Sequence, residues 1–226
     1  MNEKILFCGY REWALNIFCS LTIEYRNDIE FLLVKNTNEL REKLEKNDVS
    51  TILFVGWSWI IKEDIIDRYN CICLHPSPLP KYRGGCPIQH QIINGEKESA
   101  VTLFLMDYKV DHGPILWQSK FDLSGSLEDV FVQVSRQGTK GLFNIIKKFK
   151  EVNNFDWGVQ QDHKKATYYK RRKPEESEIK LQEFKDHSAQ EIYNKIRALQ
   201  DPYPNTYITC KNGTRLYLME SYYDRD

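Results

Sequence analysis

Short apolar runs alternate with amphipathic stretches along the first half of the chain, and that alternation sets the fold class. Lys4-Ile5-Leu6-Phe7-Cys8-Gly9 reads as a strand meeting a glycine turn. Trp13, Ala14, Ile17, Phe18 and Leu21 then recur at helical spacing. Ile29 to Val34 is a second strand, followed by a charged helix that turns Leu40 and Leu44 inward. Thr51-Ile52-Leu53-Phe54-Val55 is almost wholly apolar, as expected of a central parallel strand covered on both faces. Strand, helix, strand, helix, strand predicts an α/β fold with a doubly wound, mostly parallel sheet. Ligands of such sheets bind beyond the carboxyl ends of the strands.

The next apolar run, Cys71-Ile72-Cys73-Leu74, stops at His75. Pro76, Pro78 and Pro80 follow, and residues that lack an N–H and fix φ take the backbone out of the sheet without letting it become a helix. An imidazole is therefore expected at a strand end, at the mouth of a rigid loop. Gly56-Trp57-Ser58-Trp59-Ile60-Ile61 also follows a strand, so both should open on one crevice. Gly84 to Glu96 carries a helical pattern through Ile88, Ile92 and Ile93, stopped by Asn94-Gly95. Val101–Met106 and Ile115–Phe121 read as strands, with Asp111 just before the Gly113-Pro114 turn between them.

Ser126 with Asp129 resembles a capping box opening a helix to about Lys150, and Ser188 with Glu191 another reaching about Leu199. The basic and aromatic stretch from Lys164 to Pro174 reads as loop. Tyr207–Cys210 and Arg215–Leu218 predict a hairpin, the Asn212-Gly213 pair suiting a type I′ turn. The division expected is a core over 1–160 and a small annex of loop, helix and β-hairpin over 161–226.

Composition narrows the partners. Among 226 residues, 32 basic side chains balance 32 acidic ones, so no global field draws the chain to nucleic acid, although a local patch stays open. No apolar run reaches transmembrane length, and a membrane partner is not expected. The start, Met1-Asn2-Glu3-Lys4 followed directly by Ile-Leu-Phe, reads as a strand rather than a signal peptide. Six cysteines with no CxxC pair suggest packed, reduced thiols in a cytoplasmic protein and indicate no metal site.

The chemistry legible in the residues alone is modest. His75 and Asp111, each at a strand-to-loop switch, form a candidate base and orienter; a buried structural histidine is the other reading. GxSxG and HExxH are both missing. Cys73 shares a strand face with His75, which is proximity without activation. Trp57 and Trp59 suit core packing or the wall of a flat heterocycle equally well.

The motif His75-Pro-Ser-Pro-Leu-Pro-Lys-Tyr-Arg-Gly-Gly-Cys-Pro-Ile-Gln89, then Ile93-Asn-Gly-Glu96, then Val101 through Asp111-His-Gly-Pro-Ile-Leu116, closely resembles the 10-formyltetrahydrofolate-dependent formyltransferases. The likeness covers about residues 51–121 and is looser elsewhere. It implies an N-formyltransferase that uses N10-formyltetrahydrofolate. His75 matches the family's catalytic histidine and Asp111 its catalytic aspartate. Gly56, Trp57, Ser58, Trp59 and Ile60 look like the loop lining the pterin pocket, with Asp107 and Asp111 on the same cofactor side. Ser77, Leu79, Arg83 and Gly84 match the loop flanking the formyl group; with Lys81, Tyr82 and Gly85 they are the expected substrate side. Where the family has Asn-x-His, this chain has Cys73, and a thiol is a weaker oxyanion donor than an amide.

Two further likenesses bear on the acceptor. Arg171-Arg172-Lys-Pro-Glu-Glu-Ser177 is similar to the Arg-Arg-x-Pro-x-x-Ser segment of the bacterial enzyme that formylates a UDP-aminoarabinose. Paired guanidiniums suit a diphosphate; a solvated basic loop is the alternative. Methionyl-tRNA formyltransferase carries a further C-terminal barrel, whereas this sequence ends after one hairpin. The expectation is a nucleotide-linked amino sugar as substrate. The alternatives are another amine, on aminoacyl-tRNA or a carrier, and a folate- or nucleotide-binding protein with catalysis weakened at Cys73. The aromatic hairpin with Tyr207, Tyr217, Tyr222 and Tyr223 is the expected homodimer surface.

Overall fold

Side chains alternate across every central strand, and this gives the sheet two apolar faces. The computed structural model describes residues 3–224; Met1 and Asn2, read above as the lead into the first strand, lie outside the described residues, as do Arg225 and Asp226. The elements in order are β1 (Glu3–Cys8), α1 (Glu12–Glu24), β2 (Ile29–Val34), α2 (Thr37–Lys46), β3 (Thr51–Val55), α3 (Glu63–Arg68), β4 (Asn70–His75), β5 (Arg83–Gly84), α4 (Pro87–Ile93), β6 (Glu98–Leu105), β7 (Ile115–Asp122) and α5 (Leu127–Val152). After these come β8 (Tyr168–Tyr169), α6 (Glu183–Asp186), α7 (Ala189–Ala198), β9 (Thr206–Thr209) and β10 (Arg215–Leu218). Short 3₁₀ turns occupy His163–Lys165 and Pro174–Ser177.

The main sheet has the order β2-β1-β3-β4-β6-β7. Its first four strands are parallel, and β6 and β7 each run antiparallel to the strand before them in that order. Ile5, Phe7, Leu53, Val55, Ile72 and Leu74 face α1 and α5. The intervening Leu6, Cys8, Ile52, Phe54 and Cys71 form a second layer with Leu40 and Ile61. All five residues of β3 are buried, as its apolar run requires.

Both capping boxes form. Ser126 accepts from the Asp129 N–H and Ser188 from the Glu191 N–H, and each carboxylate returns to the cap. Three local readings are corrected. The helix expected from Gly84 begins only at Pro87, because Gly84 and Cys86 have φ of 98° and 54°. A short helix, α3, separates β3 from β4 where none was read. The hairpin turn is not type I′: Asn212 is absent from the residues with positive φ, whereas Gly213 has φ 80° and its N–H donates to the Cys210 carbonyl. That is a type I turn with a glycine bulge, in which the Asn212 carboxamide oxygen accepts from the Thr214 N–H and hydroxyl.

Contacts run across the expected 160/161 boundary. β8 pairs in parallel with β5, and the Gln161 side chain donates to the Asp111 and Gly113 carbonyls. Ile179, Ile192 and Ile196 form a small cluster of their own with Ile208 and Leu218, while Ala198 and Leu199 join the main core.

Between β6 and β7 the chain closes so tightly that a Cβ on Gly113 would lie 1.9 Å from the Leu105 carbonyl oxygen. Backbone cannot yield as a side-chain tip can. Gly113→Ala should therefore destabilise by about 1–3 kcal/mol or more, as overpacked sites do. Urea unfolding monitored by circular dichroism checks this.

Candidate active site

A cleft of about 540 Å³ lies beside the carboxyl ends of β3 and β4. Phe54, Cys73 and Phe104 sit side by side in register across β3, β4 and β6 and line it. The Gly56–Ile61 loop forms one wall and the Asp107–Asp111 loop another. The crevice expected from the strand ends is thus present, with His75 in it.

His75 is 6% exposed. Its Nε2 lies 2.8 Å from the Tyr82 carbonyl oxygen. A carbonyl only accepts, so Nε2 carries the hydrogen and Nδ1 is left for proton chemistry. Nδ1 faces Asp111 Oδ2 at 3.6 Å, and that oxygen accepts the Gly84 N–H at 2.8 Å. Tyr82 and Asp111 both hold left-handed backbone, with φ of 60° and 51°. Such conformations cost on the order of 1–3 kcal/mol each and persist where the surroundings over-determine them. Gly84 answers a related constraint: its φ is 98°, and a Cβ there would meet the Tyr169 carbonyl oxygen at 2.2 Å.

Cys73 lines the same cleft, one pleat before His75. Burial pushes its thiol well above the ordinary range, and the negative charge of Asp111 pushes it further. At neutral pH Cys73 is a thiol, not a thiolate, so its surroundings do not activate it as a nucleophile.

Trp57 packs into the second core layer, and both indoles lie on the cleft wall, Trp57 meeting Trp59 edge to face at 4.7 Å. The Trp57 indole N–H is buried with no protein partner. Ser58 bonds the Tyr10 hydroxyl at 2.6 Å, and Gly56 and the exposed Ile60 complete the wall. Asp107 lies at the rim but is engaged: Oδ2 meets His112 Nδ1 at 2.5 Å and Oδ1 accepts the Lys109 N–H.

The expected substrate side separates into two groups. Gly84, Gly85 and Arg171 line the cleft. Ser77, Leu79 and Arg83 do not. Ser77 is fully buried and donates to the Lys81 carbonyl, Leu79 is buried, and Arg83 is 0% exposed. Lys81 is exposed outside the cleft lining, and Tyr82 contributes its carbonyl to His75 while its hydroxyl donates to Glu96 at 2.8 Å. Arg172 turns away and donates to the Glu176 carbonyl, so the paired-guanidinium reading keeps one arginine at the cleft, Arg171.

Sequence reading passed over Arg11, Trp13, Gln89, Phe131 and Tyr203, which line the cleft from four different parts of the chain. Trp13, Phe131 and Tyr203 stack in sequence at 5.8 and 5.9 Å, and the Arg11 guanidinium lies 5.1 Å from the Tyr203 ring. Only their helical or turn positions were legible, not the fact that they converge. Among the described residues, no cluster suited to a metal is present, and no helix is long and apolar enough to cross a membrane.

A family model described as formyl transferase matches residues 33–146, and one described as formyl transferase, C-terminal domain, matches 172–226. The methionyl-tRNA formyltransferase of Orientia tsutsugamushi is 34% identical over 180 residues, covering 78% of this chain and 56% of that protein. This chain thus spans little more than half the length of that relative. The structure of methionyl-tRNA formyltransferase from Clostridium thermocellum superposes with a TM-score of 0.79 at 28% identity, covering 95% of this chain and 96% of that one. A sugar N-formyltransferase from Shewanella sp. superposes with a TM-score of 0.70 at 17% identity over 99% of both chains, a likeness of fold.

The raised Cys73 thiol makes a chemical prediction. Iodoacetamide at pH 7.5 should label the exposed Cys19 and Cys210 and leave Cys73 unmodified in the native protein. Peptide mapping by mass spectrometry reads the outcome; rapid labelling of Cys73 would show that a thiolate is present.

Proposed function

This chain belongs to the formyl transferase family, and on that premise we propose that it is an N-formyltransferase. The donor is N10-formyltetrahydrofolate, which supplies the formyl group, and the acceptor is the primary amine of a nucleotide-linked amino sugar. The observation that carries the reading is the meeting of His75 Nδ1 and Asp111 in a cleft walled by Trp57 and Trp59. The residues suit a folate: two indoles offer faces and edges to a flat heterocycle, and the unpartnered Trp57 N–H offers a hydrogen bond.

In this mechanism the amine must attack as the neutral species. His75 Nδ1 takes the proton that the attacking nitrogen loses and returns it to the departing nitrogen. Asp111 stabilises the imidazolium formed meanwhile, as a carboxylate facing a cation in a buried site does. The acyl oxygen gains negative charge, and the Cys73 S–H is one donor beside it. Arg171 at the cleft and the even charge balance support a small anionic acceptor over a long polyanion. The six free cysteines suit a cytoplasmic location. Self-association through the hairpin belongs to the same reading, since Leu216, Tyr217 and Tyr222 are each more than half exposed.

A second acceptor is favoured by one finding, the 34% identity to a methionyl-tRNA formyltransferase: the amine of an aminoacyl-tRNA. Binding of charged tRNA that weakens steeply between low and moderate salt would select it.

Incubation with 10-formyltetrahydrofolate and a panel of nucleotide-linked amino sugars should yield an N-formyl sugar and tetrahydrofolate, followed by absorbance and mass spectrometry. His75→Asn and Asp111→Asn should each lower turnover by about 10²–10⁴-fold while 5-formyltetrahydrofolate still binds by calorimetry. Full activity in either variant would sink the assignment. Cys73→Asn should keep or raise the rate, because a carboxamide N–H is a better oxyanion donor than a thiol; loss of turnover in that variant would give the thiol a role of its own.

A further inference from the structure

We infer that Gln161 is a positioning residue for Asp111, locked in its working orientation by the buried guanidinium of Arg83. The inference rests on the formyl-transfer reading above. It places part of the catalytic machinery between the two matched stretches, in a segment that neither family model covers.

Asp111 needs such a support. Its left-handed φ of 51° is unfavourable for a residue with a Cβ, though less so for aspartate than for most. Within residues 107–113 the side-chain ties are the Asp107 bonds to His112 and to the Lys109 N–H, neither of which holds Asp111 itself. Gln161 supplies the constraint. Its Nε2 donates to the Asp111 carbonyl at 3.0 Å and to the Gly113 carbonyl at 2.7 Å, clamping the backbone on both sides of His112. Its Oε1 accepts two hydrogen bonds from Arg83, from Nε at 3.2 Å and Nη2 at 2.6 Å.

The chemistry of the partners fixes which way the amide points. Arg83 can only donate and the two carbonyls can only accept, so neither end of the amide can be exchanged. Arg83 is held in turn by the Tyr168 hydroxyl at 2.6 Å and His163 Nδ1 at 3.0 Å. The pairing of β5 with β8 then sets the Gly84 N–H against the Asp111 carboxylate from the other side. Backbone and side chain of Asp111 are thus fixed by one connected set of bonds. Reacting groups displaced by even an ångström lose rate steeply, and that is the form the effect should take.

Gln161→Glu separates this role from a structural one. The new carboxylate keeps an acceptor for Arg83 and so keeps the buried cation paired, but it has no N–H for the two carbonyls. With an acceptor amine that the wild type formylates, kcat should fall on the order of 10²-fold. The KM for donor and acceptor should stay near wild type, and the melting temperature should fall by no more than several degrees, since two buried carbonyls lose their donor while the Arg83 cation stays paired. Gln161→Asn, neutral and one methylene shorter, should lose kcat in the same way and guards against a folding defect peculiar to the acid. A second readout needs no turnover: in ¹H–¹⁵N spectra the Gly84 amide should shift and exchange faster in both variants, because its carboxylate acceptor has moved. Wild-type kcat together with an unchanged Gly84 amide would overturn the inference, as would a rate loss that only tracks the folded fraction. A wild-type protein that formylates no amine overturns the functional reading instead. The Gly84 amide then still decides whether Gln161 places Asp111.

Discussion

A fully buried guanidinium with no carboxylate partner is the constraint on which the site depends. Taking a cation out of water costs several kcal/mol, and Arg83 has no ion pair among the described residues to offset this. Its charge is solvated instead by neutral acceptors: the Gln161 amide oxygen, the Tyr168 hydroxyl and His163 Nδ1, with the Tyr168 ring 5.4 Å away. Each acceptor comes from the segment 161–168. This segment therefore cannot behave as a detachable annex, since withdrawing it would leave a buried cation bare. His163 must stay neutral to accept from Arg83, and its imidazole is held below its ordinary range by desolvation and by the nearby His112 and Arg83 charges. It stacks on His112 at 3.9 Å, and His112 in turn bonds Asp107. Asp107, His112, His163, Arg83, Gln161 and Asp111 thus form a chain of contacts that leaves the 107–111 loop at one end and returns to it at the other.

That chain explains how His75 can have partners in unfavourable conformations. Both groups that orient the imidazole, the Tyr82 carbonyl and the Asp111 carboxylate, come from residues with positive φ. Their combined strain is on the order of 2–6 kcal/mol, a large share of the net stability of a typical domain. Tyr82 is held by its ring, stacked on Tyr169 at 4.8 Å, and by its N–H donating to Thr167. Asp111 is held by Gln161 and Gly84. The organisation of the site is stored in these contacts, which do not touch the reacting atoms.

What could be read from the sequence follows from the range of the forces involved. The strand that ends at His75 and the boxes at Ser126 and Ser188 depend on neighbours three or four residues away, so they were legible. The Asn212-Gly213 turn was ambiguous for a physical reason: the same dipeptide serves a type I′ turn and a type I turn with a bulge, and loop length decides between them. Arg83 and Arg172 illustrate the harder case. Both read as ligand-binding arginines, yet Arg83 finds its acceptors 78 to 85 residues away and Arg172 is taken by the carbonyl of Glu176. Gln161 carried no signal, because the second of two adjacent glutamines in an irregular polar stretch has no pattern that marks it. The family resemblance pointed to His75 and Asp111, which the structure brings to within 3.6 Å of each other, but not to what holds them.

Cys73 is where the local chemistry departs most from that resemblance, and the structure limits what the departure does. A thiolate there would place a second anion beside Asp111, and burial already opposes it. The side chain is therefore neutral, compatible with Asp111 and weakly donating. An acyl transfer site that loses one good oxyanion donor forfeits roughly 10²–10³ in rate. On the proposed mechanism, an imidazolium at His75 kept close to Asp111 would place positive charge beside the same oxygen, and that electrostatic contribution would grow as water is excluded from the cleft. The precision with which Asp111 is held then matters more in this chain than it would beside an asparagine. If the chain transfers a formyl group as proposed, a weak side-chain donor leaves stabilisation of the transition state more heavily to His75 and Asp111, and that pair is only as well placed as the Arg83–Gln161 contacts behind it.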